Sequence, residues 1–82
     1  MKYRVEFGDS VGTDLLAIPK RDAERILRKI QRLEVGFVGD IKRLQNADVA
    51  YRLRMGNYRV LFDVVGDRII VQAIGHRKDV YE

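Results

Sequence analysis

Cysteine is absent from this 82-residue chain, and histidine occurs once, at His76. Neither a disulfide framework nor a thiolate metal site can form, and one imidazole cannot build a His-rich site, so no metal or other cofactor is expected. Proline is nearly absent too, with Pro19 alone. Long apolar runs are missing: in Met1-Lys2-Tyr3-Arg4-Val5-Glu6-Phe7, charges stand at every second position. That pattern suits neither a signal peptide nor a membrane span, and a cytoplasmic protein is expected. Repeats, linkers and low-complexity segments are also lacking, and a chain of this length holds one core, so a single domain over residues 1–82 is expected.

What is present is basic. Lys and Arg number 16 against 12 Asp and Glu, giving a formal charge of +4 and a pI near 9.7. Such a balance favours a nucleic-acid or acidic-protein partner without choosing between them.

The first half of the chain reads as scaffold. Tyr3, Val5 and Phe7 alternate with charged neighbours, which predicts a half-buried strand. Asp9 or Ser10 can cap a short helix carrying Val11, Leu15 and Leu16. Pro19 suits the first turn of a second helix, where Ala23, Ile26, Leu27, Ile30 and Leu33 form one apolar stripe and Gly36 supplies a stop. The opposite face of that helix holds Arg21, Arg25, Arg28, Lys29 and Arg32, a pattern that most often marks a solvated surface. Residues 35–49 read as a loop, pinned by Phe37, Val38, Ile41 and Leu44.

Two turn signals organise the second half. Gly56-Asn57 and Gly66-Asp67 each separate runs of alternating apolar and polar residues, which predicts two hairpins and hence a three-stranded antiparallel meander. A two-residue first loop sets Met55 opposite Tyr58, Leu53 opposite Val60 and Tyr51 opposite Phe62, an apolar side that belongs to the core. The other side then carries Arg52 opposite Leu61 and Arg54 opposite Arg59, two like charges with Cβ atoms about 5 Å apart. Core burial sets this register, because a slip of one residue would turn every apolar side chain to solvent. Continuing the alternation through the second hairpin sets Val60 opposite Ala73 and Tyr58 opposite Gly75. Leu61, Ile70 and Ile74 then fall on the arginine side, where they can bind a partner segment. His76 also falls there, and the chain is expected to bend after Gly75. Guanidinium groups bind phosphate through paired donors, and imidazole and phenol can move protons, so these residue types suggest RNA phosphodiester chemistry or anion binding.

The order of elements, together with Tyr51-Arg52-Leu53-Arg54-Met55-Gly56-Asn57-Tyr58-Arg59-Val60 and Gly75-His76-Arg77-Lys78-Asp79-Val80-Tyr81, resembles the RelE/ParE family of toxins from toxin-antitoxin pairs. The resemblance implies an α+β fold with an N-terminal strand and two helices on one face of a mainly antiparallel sheet, the working site lying on the other face. RelE-type members cut messenger RNA in the ribosomal A site, ParE-type members poison DNA gyrase, and both are held inactive by an antitoxin. Carried over on the RelE pattern, Arg59 looks like the arginine that holds the scissile phosphate, Arg77 like the second catalytic arginine, and Tyr81 like the C-terminal tyrosine that stacks on or orients the nucleotide. Arg52 and Arg54 stand where the best-known member has lysines and are assigned to substrate binding. Because Arg remains protonated and makes a poor general base, His76 becomes the candidate for proton transfer, with Tyr81 beside it. The expected partners are the ribosome with its mRNA and an antitoxin segment combining acidic and apolar residues. A gyrase inhibitor or a non-catalytic binding module are the alternative functions.

Overall fold

The computed structural model describes residues 2–80. Strand β1 (Arg4–Phe7) leads into helix α1 (Val11–Leu16) and helix α2 (Lys20–Arg32), which ends in a 3-10 turn at Leu33–Val35. Four strands follow: β2 (Asp40–Arg43), β3 (Tyr51–Met55), β4 (Tyr58–Val65) and β5 (Arg68–His76). They form one five-stranded sheet in the order β1-β5-β4-β3-β2, with β1 parallel to β5 and the other pairs antiparallel.

Pro19 is the N-cap of α2, its fixed φ of -52° leading into the helix. The apolar stripe packs inward as its spacing requires, with Ile26, Ile30 and Leu33 buried and Ala23 partly so. They meet Leu53, Val60, Phe62, Ile69 and Val71 from the sheet in one core cluster. In α1, Val11 is buried while Leu16 is 89% exposed, so the short helix contributes mainly Val11. Ser10 is its N-cap but makes no capping bond; its hydroxyl donates to the Gln72 carbonyl at 3.1 Å. The Asp14 carboxylate accepts the Ile74 amide at 3.0 Å, so α1 is fastened to β5 from both ends.

Two expectations need correction. Residues 40–43 are not loop but strand β2, an edge strand on β3, while Phe37 packs against Tyr3 and Tyr51, each with ring centroids 5.4 Å away, and against Phe62. The β4–β5 register also departs from strict alternation. Leu61 pairs with Ala73 but Phe62 with Val71, so Gln72 is an extra residue in a β-bulge. Hydrophobic burial favours this outcome: unbroken alternation would turn Ala73 inward and Ile74 outward, whereas the bulge leaves Ile74 only 3% exposed, a difference of about 0.8 kcal/mol for each additional methylene buried. Polar bonds hold the bulge, because Gln72 Nε2 donates to Asp63 Oδ2 at 3.3 Å and Asp63 Oδ1 accepts the Ala50 amide at 2.8 Å.

Across the parallel β1–β5 pair, Arg68 donates to both Glu6 oxygens at 2.7 and 2.8 Å. This hydrogen bonding, with the charge of Arg68, holds the Glu6 carboxyl below its ordinary value of 4.5. A depressed carboxyl contributes stability that is present above its unfolded value and lost as pH falls through its folded one. Glu6→Gln is therefore expected to be less stable than wild type at about pH 7, with the gap narrower at about pH 3. Urea unfolding at both pH values checks this, and a gap unchanged with pH would refute it.

Candidate functional site

The β3–β4 hairpin builds the candidate site. Gly56 takes the positive φ of 56° that the turn demands, and the paired strands set Arg52 opposite Leu61 and Arg54 opposite Arg59, as the sequence predicts. The facing guanidinium groups are drawn to different partners. Arg54 reaches toward Asp40, its register partner on β2, with Nε 4.0 Å from Oδ2. Arg59 folds back over the turn, where its Nη1 donates to the carbonyls of Gly56 at 2.9 Å and Tyr58 at 3.0 Å. It is only 8% exposed, so its charge is held in a defined place. Arg52 is half-buried and Arg54 exposed.

The bulge at Gln72 redistributes the remaining candidates. Leu61, 9% exposed, and half-buried Ile70 stay on the arginine side. Ile74 does not: it belongs to the core, and Gly75 takes its place opposite Arg59. His76 also changes face, because it pairs with Tyr58, and the two rings meet edge to face with centroids 5.8 Å apart. Tyr58 in turn donates its hydroxyl to Asp22 of α2 at 3.0 Å, which raises its phenol above the ordinary value of 10.0 and keeps it a proton donor. Between α2 and the hairpin lies a cavity of about 600 Å³ whose lining includes Asp22, Arg25, Lys29, Arg54, Tyr58 and His76.

Beyond β5 the chain bends, as expected after Gly75. The Arg77 amide donates to the Asn57 carbonyl at 2.7 Å, which places the Arg77 backbone beside the first hairpin turn. The amides of Asp79 and Val80 return to the His76 carbonyl at 2.8 and 3.0 Å. Val80 then sits over Gly75, whose partner on β4 is Arg59. Tyr81 lies outside the described residues. The structure thus brings Arg52, Arg54 and Arg59 together with the Arg77 backbone and sets His76 behind the sheet. Among the described residues, no group of three or more His, Asp or Glu side chains is placed to hold a metal ion.

Comparison with known proteins places this arrangement. No protein-family model matches the chain. It is 33% identical over 88 aligned positions to RelE1 of Methanocaldococcus jannaschii, an alignment covering 100% of this chain and 98% of that protein. The chain belongs to the RelE family of toxins. Among solved structures, the RelB-RelE antitoxin-toxin complex from Methanococcus jannaschii contains a chain that superposes with a TM-score of 0.78 at 31% identity, covering 93% of this chain and 94% of that one. The archaeal RelE-RelB complex from Pyrococcus horikoshii contains another, with a TM-score of 0.79 at 28% identity and coverage of 98% and 100%.

Two contributors to this RelE-family site escaped sequence reasoning. Asp40 stands in an edge strand with Ile41 as its one apolar residue, too weak a signal for a strand. Asp22 carried a usable hint, since an acidic residue in the first turn after Pro19 is well placed on the helix dipole. At Gly75, where the bend was expected, the structure adds the reason: an ideal Cβ there would lie 2.5 Å from Val80 Cγ2. Gly75→Ala should therefore displace the tail rather than the sheet, speeding amide exchange at Asp79 and Val80 while global stability changes by no more than about 1 kcal/mol. Unaltered exchange at both amides would show that Val80 does not rest there.

Proposed function

We propose that this RelE-family toxin is a ribosome-dependent endoribonuclease that acts in the cytoplasm, cutting mRNA in the A site without a metal ion. The observation that carries this reading is the gathering of Arg52, Arg54 and Arg59 on the side of the β3–β4 hairpin opposite the core, with the Arg77 backbone bonded to its turn. In the reaction, the ribose 2′-oxygen attacks the adjacent phosphorus. The new O–P bond forms as the bond to the 5′-oxygen breaks, the 2′ proton passes to a base, and the leaving 5′-oxygen receives a proton, giving a 2′,3′-cyclic phosphate and a 5′-hydroxyl. Negative charge accumulates on the phosphoryl oxygens. Guanidinium donors already fixed in position stabilise it without reorganising, the role proposed for Arg59 and Arg77, while Arg52 and Arg54 bind flanking phosphates. Tyr81, carried over from the family pattern, orients the nucleotide and is the remaining candidate for proton transfer.

Arg59→Ala is expected to reduce cleavage by about 10² or more, the scale seen when one preorganised donor is removed. Because the side chain also serves two turn carbonyls, stability should fall by about 1 kcal/mol. Primer extension on translating ribosomes reads the cuts, and denaturant unfolding reads the fold. Messenger left uncut by wild-type protein, together with inhibited gyrase supercoiling, would instead make this a ParE-type toxin.

We infer also that the open face binds an antitoxin segment carrying acidic and apolar residues. The net charge of +4 supplies the electrostatic part, and Leu61 and Ile70 the apolar part. Affinity should fall as salt rises yet keep a salt-insensitive component. Leu61 is nearly buried within the chain itself, so Ile70→Ser is the sharper test, with an expected loss of about 1 kcal/mol or more of binding. Unchanged affinity in a calorimetric titration would place the contact elsewhere.

A further inference from the structure

The turn that carries Arg77 is held almost entirely by one residue. Of its four amides, Arg77 donates to the Asn57 carbonyl, Lys78 to His76 Nδ1 at 3.2 Å, and Asp79 and Val80 to the His76 carbonyl. His76 thus accepts three of the four. Its ring is set from behind, edge to face with Tyr58, whose hydroxyl is tied to Asp22 of α2. We propose that His76 is a positioning residue whose imidazole Nδ1, by accepting the Lys78 amide, closes the turn that holds Arg77 beside the first hairpin turn. The inference rests on the reading that Arg77 works in RNA cleavage.

An Nδ1 acceptor requires neutral imidazole with its proton on Nε2. The geometry reproduces an Asx-turn, in which a side-chain oxygen accepts the amide two residues on. It also counts against a general-base role: the available lone pair is engaged by backbone, and the ring lies on the Tyr58 side of the sheet, the face opposite Arg59. Protonation turns Nδ1 into a donor and leaves the Lys78 amide without this acceptor. The ring shares its two flanking cavities with charges of both signs: Asp22, Arg25 and Lys29 of α2 with Arg54 of β3 on one side, and Asp14 of α1 with Asp79 of the tail on the other. The Tyr58 phenol borders both cavities. Arg77 and Lys78, exposed, adjoin the ring in sequence.

Two substitutions separate strut from base. His76→Asn retains an oxygen able to accept the Lys78 amide but no group that takes up a proton near neutrality, whereas His76→Leu keeps apolar bulk against Tyr58 and loses the acceptor. His76→Asn should retain most of the wild-type cleavage rate, far from the loss of about 10²- to 10⁴-fold that follows removal of a general base. His76→Leu should lose about 10- to 10²-fold, through misplacement of Arg77. In amide-exchange and nitrogen NMR measurements, wild-type protein should show a protected Lys78 amide and the Nε2-protonated tautomer. That protection should persist in His76→Asn and be lost in His76→Leu. An Asn variant that protects the Lys78 amide yet cuts as poorly as the Leu variant would overturn the proposal in favour of proton transfer. An unprotected Lys78 amide in neutral wild-type protein would overturn it whatever the cleavage rate. Protected amides in a wild-type protein that cuts no RNA would instead fail the nuclease reading and leave the strut standing.

Discussion

Burial of Leu53, Val60 and Phe62 against Ile26, Ile30 and Leu33 is the constraint from which the rest of the molecule follows. Side chains alternate across a strand, so seating those three inward drives Arg52, Arg54, Arg59 and Leu61 to the other side. The facing arginines repel, but the magnitudes are unequal. A cross-strand pair is worth at most about 1 kcal/mol either way, whereas each large apolar side chain buried contributes about 1.5 to 3 kcal/mol. The core therefore dictates the register, and the cationic face is its consequence.

That face is not left to repel freely. β2 brings Asp40 opposite Arg54, and the hairpin turn offers Arg59 two carbonyl oxygens. The two hydrogen bonds to the turn fix the Arg59 guanidinium in orientation as well as position. For a site that must meet charge developing on a phosphoryl group, such fixity matters more than the number of cations, because donors that already point correctly pay no reorganisation during reaction. The charge on this surface and the order in it come from the same strand pairing.

Much of this was legible because its causes are local. The two turn dipeptides, the alternation on either side of them, the α2 stripe and the start at Pro19 are contained in short windows, and each matches the structure. So does the Arg54–Arg59 pair, which follows from turn length alone. The bulge was hidden because it depends on bonds between distant segments, from Ser10 to Gln72 and from Gln72 to Asp63. β2 was hidden because Asp40-Ile41-Lys42-Arg43 has no apolar pattern of its own and forms only once β3 is there to pair with. The misplaced faces of Ile74 and His76 are both downstream of the one unseen bulge.

The bulge does more than bury an isoleucine. By inverting β5 from Ala73 onward, it presents Gly75 on the open side and sends His76 inward to Tyr58. With no Cβ at Gly75, Val80 can rest on the strand opposite Arg59. With His76 inward, its carbonyl and ring nitrogen become acceptors for the returning tail. In the unbulged register the ring would project among the arginines and a larger inward residue would be lost from the core. A local irregularity favoured by hydrophobic burial thus also sets the path of the chain that carries Arg77, so core packing and site geometry are coupled through Gln72 even though its own bonds lie away from the arginine pair.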